Sequence, residues 1–144
     1  MDDLYNKILN ISDNDITTII EDAVKMARDT IPIPDRMCIL ASNLIYNYLK
    51  DRHILCKIIN TKELGMGYRH DFVLAKDINN TYLIDTTYSQ FKDNGFLLDE
   101  DILVKGYTIV NDDILFNYLN TLPTPYGIDS VNVENLFLSP SKRK

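Results

Sequence analysis

A chain of 144 residues, 45% hydrophobic and 25% charged, with only five glycines and five prolines, has the size and composition of one domain around an ordinary core. Disordered, collagen-like and low-complexity architectures are thereby excluded. Its 15 basic and 21 acidic residues give a net charge of -6, which leaves no cationic footprint for general nucleic-acid binding. The two cysteines cannot build a disulfide framework, so free thiols in a reducing compartment are expected.

No apolar run approaches the roughly 18 residues that span a bilayer. Met1-Asp2-Asp3-Leu4-Tyr5 lacks the basic region and apolar core of a secretory signal. The expectation is a soluble protein with no membrane partner. Along the chain, the first 30 residues read as helical, with Asp13 and Asn14 as cap candidates ahead of Ile16, Ile19, Ile20, Val24 and Ala27 on one face. The prolines of Thr30-Ile31-Pro32-Ile33-Pro34-Asp35 break that helix. A second helix is predicted from Asp35 or Arg36 to about Asp51, with Ile39, Leu40, Leu44, Ile45 and Leu49 as its core-facing stripe.

The period then changes. Ile54 to Ile59, Tyr68 to Lys76 and Thr81 to Thr86 read as strands, joined by a flexible Leu64-Gly65-Met66-Gly67 connection and a turn at Asp77-Ile78-Asn79-Asn80. Leu97 to Val110 is expected to be irregular with room for one more strand, and Asn111 or Asp112 is placed to cap a helix through Leu119. Helices followed by an antiparallel sheet predict the α+β class. Residues 1–122 read as a single catalytic domain with its core at 35–91, and 123–144 as a partly ordered C-terminal arm with a basic tip.

Three residues in this layout carry chemistry. Nucleophilic catalysis by cysteine needs a thiolate at neutral pH, a base within reach of it and a group that orients the base. Cys38 falls at the predicted start of the second helix, where the macrodipole and free backbone N–H groups favour an anion. The N–H of Cys38 itself is a candidate oxyanion donor. His70 and Asp85 lie on the two arms of the predicted hairpin. A symmetric turn makes them direct partners and a four-residue loop makes them diagonal neighbours. Either register keeps them on one face, with Phe72, Leu74 and Leu83. An odd-length loop would separate them.

Cys38-Ile39-Leu40-Ala41-Ser42, then Arg69-His70-Asp71-Phe72-Val73, then Tyr82-Leu83-Ile84-Asp85-Thr86-Thr87-Tyr88-Ser89-Gln90-Phe91, resembles the papain-like and transglutaminase-like cysteine enzymes. The resemblance is closest to the branch found in bacterial toxins and secreted effectors, which includes protein glutamine deamidases and effector proteases. It covers residues 35 to 91, and the string ending in Gln90-Phe91 is its specific part. It implies a papain-like core, no cofactor, Cys38 as nucleophile, His70 as general base and Asp85 as the orienting acid. It further implies a virulence role, with the protein either cytoplasmic or delivered to the cytosol of a host cell. Papain-type proteases carry a Gln shortly before the Cys as second oxyanion donor, and residues 31 to 37 contain none. Gln90 is the candidate for that place, with a bracing role in its loop as the alternative.

Other residues read more plainly. Cys56 alternates with Ile54 and Ile58 and is expected in the core. His53 falls between helix and strand and is expected at the surface. Cys38, His53, Cys56 and His70 match no zinc-ligand spacing, and the acids at 99–101 and 112–113 lack the pattern of a calcium loop.

A Cys-His-Asp set cleaves an amide through a thioester. Deamidation of a glutamine side chain on a target protein is the first reading, because a side-chain amide needs no long groove. Effector-type proteolysis and transglutamination are the enzymatic alternatives, and an inactive protein-binding module of the same fold is the non-enzymatic one. The acidic balance favours a protein partner with a basic patch.

Overall fold

The structure, a computed structural model, describes residues 13–93, 97–123 and 128–137. Among them are four α-helices and a four-stranded antiparallel sheet, which makes the protein α+β. Helix α1 (Asp13–Thr30) and helix α2 (Cys38–Asp51) precede strands β1 (Leu55–Asn60), β2 (Asp71–Lys76) and β3 (Thr81–Ile84). Helix α3 (Glu100–Lys105), strand β4 (Tyr107–Val110) and helix α4 (Asp112–Leu119) complete the framework. The sheet is a meander in the order β1-β2-β3-β4. The side chains of Asp13 and Asn14, the cap candidates of α1, lie outside the described residues, as does the basic tip.

Both faces of the sheet are covered. Val73, Ala75, Tyr82 and Ile84 meet Ile16, Ile20, Ala23, Val24 and Ala27 of α1 and Ile45 and Leu49 of α2. The α1 residues recur at helical spacing, so one stripe of that helix is buried. On the other face Ile59, Phe72, Leu74, Leu83 and Val110 pack under Tyr88, Phe91, Ile102, Leu115 and Tyr118. Val133 and Leu136 join this second cluster, so part of the C-terminal arm belongs to the core. Alternation along the strands sends successive side chains to opposite layers.

The β2–β3 turn fixes the register. Asp77 Oδ1 accepts from the N–H groups of Asn79 and Asn80 at 2.8 and 2.7 Å, a local Asx arrangement that closes a four-residue loop. Lys76 pairs with Thr81 and Leu74 with Leu83. This is the diagonal register of the two expected.

Several boundaries differ from expectation. The stretch at Leu97 to Val110 is more regular than predicted: Asp99 caps α3 through its side chain, and Gly106 ends the helix with φ 81. A Cβ at Gly106 would lie 2.8 Å from Val24, so this position requires glycine twice over. Asn111, as expected, caps α4, accepting from the N–H of Ile114 at 2.8 Å. The second helix starts later than predicted, because Asp35 and Arg36 form a turn with Arg36 at φ 63. Cys38 is therefore its first residue. The predicted stripe of α2 is also corrected: Ile45 and Leu49 are buried, whereas Ile39 and Leu40 are 46% and 51% exposed. The late start leaves the first turn of α2 projecting past the sheet.

Among the described residues no helix is long and apolar enough to cross a membrane. A cavity of about 1040 Å³ opens at the end of the sheet that holds the 77–80 turn.

Candidate active site

The site lies at the other end of the sheet, where β2 begins and β3 ends. Both strands stop short of their predicted limits because side chains capture the backbone. Thr61 accepts the N–H of His70 on its hydroxyl at 2.8 Å, and its own N–H donates to the His70 carbonyl at 3.0 Å. The N–H of Thr87 folds back onto Asp85 Oδ1 at 3.0 Å. His70 and Asp85 are thus the residues just beyond the ladder, free to aim their side chains at each other.

They do so at full burial. His70 Nε2 stands 2.7 Å from Asp85 Oδ2, with both side chains 1% exposed. Asp85 is held by three further contacts. Tyr118 donates its hydroxyl to the same Oδ2 at 2.6 Å, while the N–H and hydroxyl of Thr87 serve Oδ1 at 3.0 and 3.2 Å. A carboxylate with this many donors stays ionised in the interior. Burial disfavours its charge, yet His70, Tyr118 and Thr87 together hold the Asp85 carboxyl below its usual range. Phe91 closes over His70, ring edge to ring face, with centroids 4.9 Å apart at 81°.

His70 Nδ1 faces away from this anchorage. It is buried without a conventional hydrogen-bond partner, and the group within its range of influence is the thiol of Cys38. Burial favours the neutral imidazole, but the Asp85 charge and hydrogen bond outweigh it, with a smaller contribution from Cys38, and raise His70 to about 9. Burial likewise opposes ionisation of Cys38, but the His70 ring and the N–H of Asp71 lower the thiol below its ordinary value. The first turn of α2 adds to this, since no side chain caps it and its amides face the nucleophile's end of the helix. A thiolate–imidazolium pair is the charge state this arrangement favours.

Gln90, four residues beyond the Asp85-Thr86 pair on a 3₁₀ turn (Tyr88–Phe91), reaches across to the nucleophile's segment. Its Oε1 accepts the N–H of Arg36 at 3.4 Å, two residues before Cys38, and its Nε2 is buried without a partner. A buried amide donor left open beside a nucleophile is one way to receive a developing oxyanion.

The structure therefore brings Cys38, His70 and Asp85 together and sets Gln90 beside the loop that leads to Cys38. It keeps His53 away, exposed at the end of α2 with φ 63. Cys56 is half-buried on β1, with its Sγ 3.7 Å from the carbonyl of Tyr46. Sequence reasoning missed Tyr118, Thr87 and Thr61. Thr87 sits inside the Asp85-Thr86-Thr87 string and was within reach of a local reading; Tyr118, 33 residues from its partner, was not. No family model, no curated protein and no solved structure matches this chain.

Proposed function

We propose that the protein is a cysteine-dependent hydrolase of protein amides, and that its reaction is deamidation of a glutamine side chain. The observation that carries this reading is a buried imidazole pinned to a carboxylate on one nitrogen and turned to the Cys38 thiol with the other. The papain-like core is part of the same reading, supported by the order helix-borne Cys, then His, then Asp at one sheet end.

In this mechanism the Cys38 thiolate attacks the side-chain carbonyl carbon of glutamine, and the C=O π pair moves onto oxygen. The N–H of Cys38 and the open Nε2 of Gln90 receive the oxyanion. His70, protonated, gives its Nδ1 proton to the departing nitrogen, the C–N bond breaks, and ammonia leaves behind a thioester. Water then attacks the thioester while His70 takes its proton, and the C–S bond breaks to give glutamate and the starting thiolate–imidazolium pair. Asp85 keeps its charge throughout and fixes the ring that shuttles the proton.

Incubation with a eukaryotic cell extract, followed by peptide mass spectrometry, tests the reading. The expected result is a gain of about 1 Da at glutamines, the exchange of NH₂ for OH, with wild type and not with Cys38→Ala. Cys38-dependent chain cleavage would replace the reading by proteolysis, and amine adducts by transglutamination. No Cys38-dependent change would contradict it.

A further inference from the structure

Resting on that reading of the site, the positions of its exposed apolar side chains point to the kind of target surface it takes. Ile39 and Leu40, which helical spacing assigns to the core, are instead 46% and 51% exposed, and Met37 on the other side of Cys38 is 39% exposed. Ile33, between two prolines in the segment leading to α2, is exposed as well. Tyr68 is exposed too; it stands two residues before His70, with its ring 6.1 Å from that of Phe91, the residue that covers the imidazole. Exposed apolar side chains scattered singly need no explanation, but five that border one nucleophile form a patch. Any acyl group that reaches Cys38 must lie against Met37, Ile39 and Leu40, since they flank the thiol in the same helical turn.

The charges around this rim balance. Asp35 and Arg36 are adjacent and opposite, and Arg69 is paired with Asp71 at 3.2 Å. Acidic side chains gather instead around the cavity at the far end of the sheet, where Asp77, Asp112, Asp113 and Glu134 line one opening. The complement of a balanced, apolar rim is an uncharged apolar surface, not a basic one.

We infer that the rim of Ile33, Met37, Ile39, Leu40 and Tyr68 docks a target protein through aliphatic residues that flank the reactive glutamine, as on the apolar face of an amphipathic helix. The acidic far end then contributes little to capture.

Two synthetic peptides test this, each a helical 15-mer with one central glutamine. One has leucines three and four residues to either side of it, and the other has lysines there. Binding is measured by fluorescence anisotropy to the full chain carrying Cys38→Ala, so that no turnover is needed. The leucine peptide is expected to bind at least about tenfold tighter than the lysine peptide. Ile39→Lys and Leu40→Lys in the same background should each abolish that preference, while Ile109→Lys, at an exposed apolar residue on the far edge strand, should keep it. Equal affinity for both peptides, or a preference that survives both rim variants, would overturn the inference. Failure of the deamidase reading looks different: selective binding of the leucine peptide would stand, but the wild-type protein would add no mass to it.

Discussion

Cys38 and Cys56 are both half-buried, yet their thiols move in opposite directions. Burial pushes Cys56 up to about 11, against a small opposing effect of Lys50. Its Sγ lies 3.7 Å from the carbonyl of Tyr46, a contact that suits a protonated thiol as donor. Burial pushes Cys38 the same way, but the His70 ring and the N–H of Asp71 more than reverse it. Depth sets the penalty on the anion, and neighbours decide whether it is met. One cysteine is a small hydrophobe beside α2, and the other is a nucleophile at a helix start.

The largest way to break this contrast is His70→Ala. Without the ring, burial dominates at Cys38 as it does at Cys56, and alkylation of Cys38 at pH 6.5 is expected to fall by about 10²–10³-fold. Asp85→Asn comes next. It leaves His70 buried without its counter-charge, which is expected to cost about 3 kcal/mol of stability at pH 6 in urea unfolding and to slow Cys38 alkylation. Retention of wild-type stability would mean that the pair carries no net charge at that pH.

The pH dependence sharpens the comparison. His70 is raised to about 9, so its contribution to stability is fully present below the ordinary imidazole value and is lost as pH rises through about 9. Asp85 is lowered, so its contribution is present above the ordinary carboxylate value and is lost as pH falls below it. The urea midpoint should therefore be highest between roughly pH 4 and 6.5 and decline on either side. The Cys38→Ala variant should keep most of that profile, because its source is the His70–Asp85 pair.

Tyr118→Phe has a smaller effect and a diagnostic sign. Tyr118 and His70 share one oxygen of Asp85, so removing the hydroxyl leaves more of its charge to the imidazolium. The alkaline limb of Cys38 alkylation is expected to move to higher pH, with a stability cost of about 1 kcal/mol. A merely structural Tyr118 would alter stability and leave the limb in place. Smallest of all, Cys56→Ala should cost about 1 kcal/mol and leave the alkylation of Cys38 unchanged.

What the sequence revealed follows the range of the interactions. The pairing of His70 with Asp85 was legible because a four-residue turn conserves parity, and Asp77 with its two acceptor contacts makes such a turn from local chemistry alone. Cys38 at a helix start was legible from the prolines before it. The exposure of Ile39 and Leu40 was not, since spacing gives the stripe of a helix but not where the sheet beneath it ends. Helix α3 was hidden because it is only six residues long, too short for a period. Tyr118 was hidden because its place at Asp85 depends on α4 folding back over the sheet face of Phe72 and Leu83. Within the C-terminal arm, Val133 and Leu136 reach the same cluster by a route no local pattern marks.

The central claim is that one of two half-buried thiols is primed by its neighbours. Competitive alkylation with a limiting amount of iodoacetamide at pH 6.5, read by peptide mapping, addresses it directly. Cys38 is expected to react at least about 100-fold faster than Cys56, and to lose that advantage in His70→Ala. Equal, slow labelling of both cysteines, or a fast Cys38 that is indifferent to His70, would contradict the account.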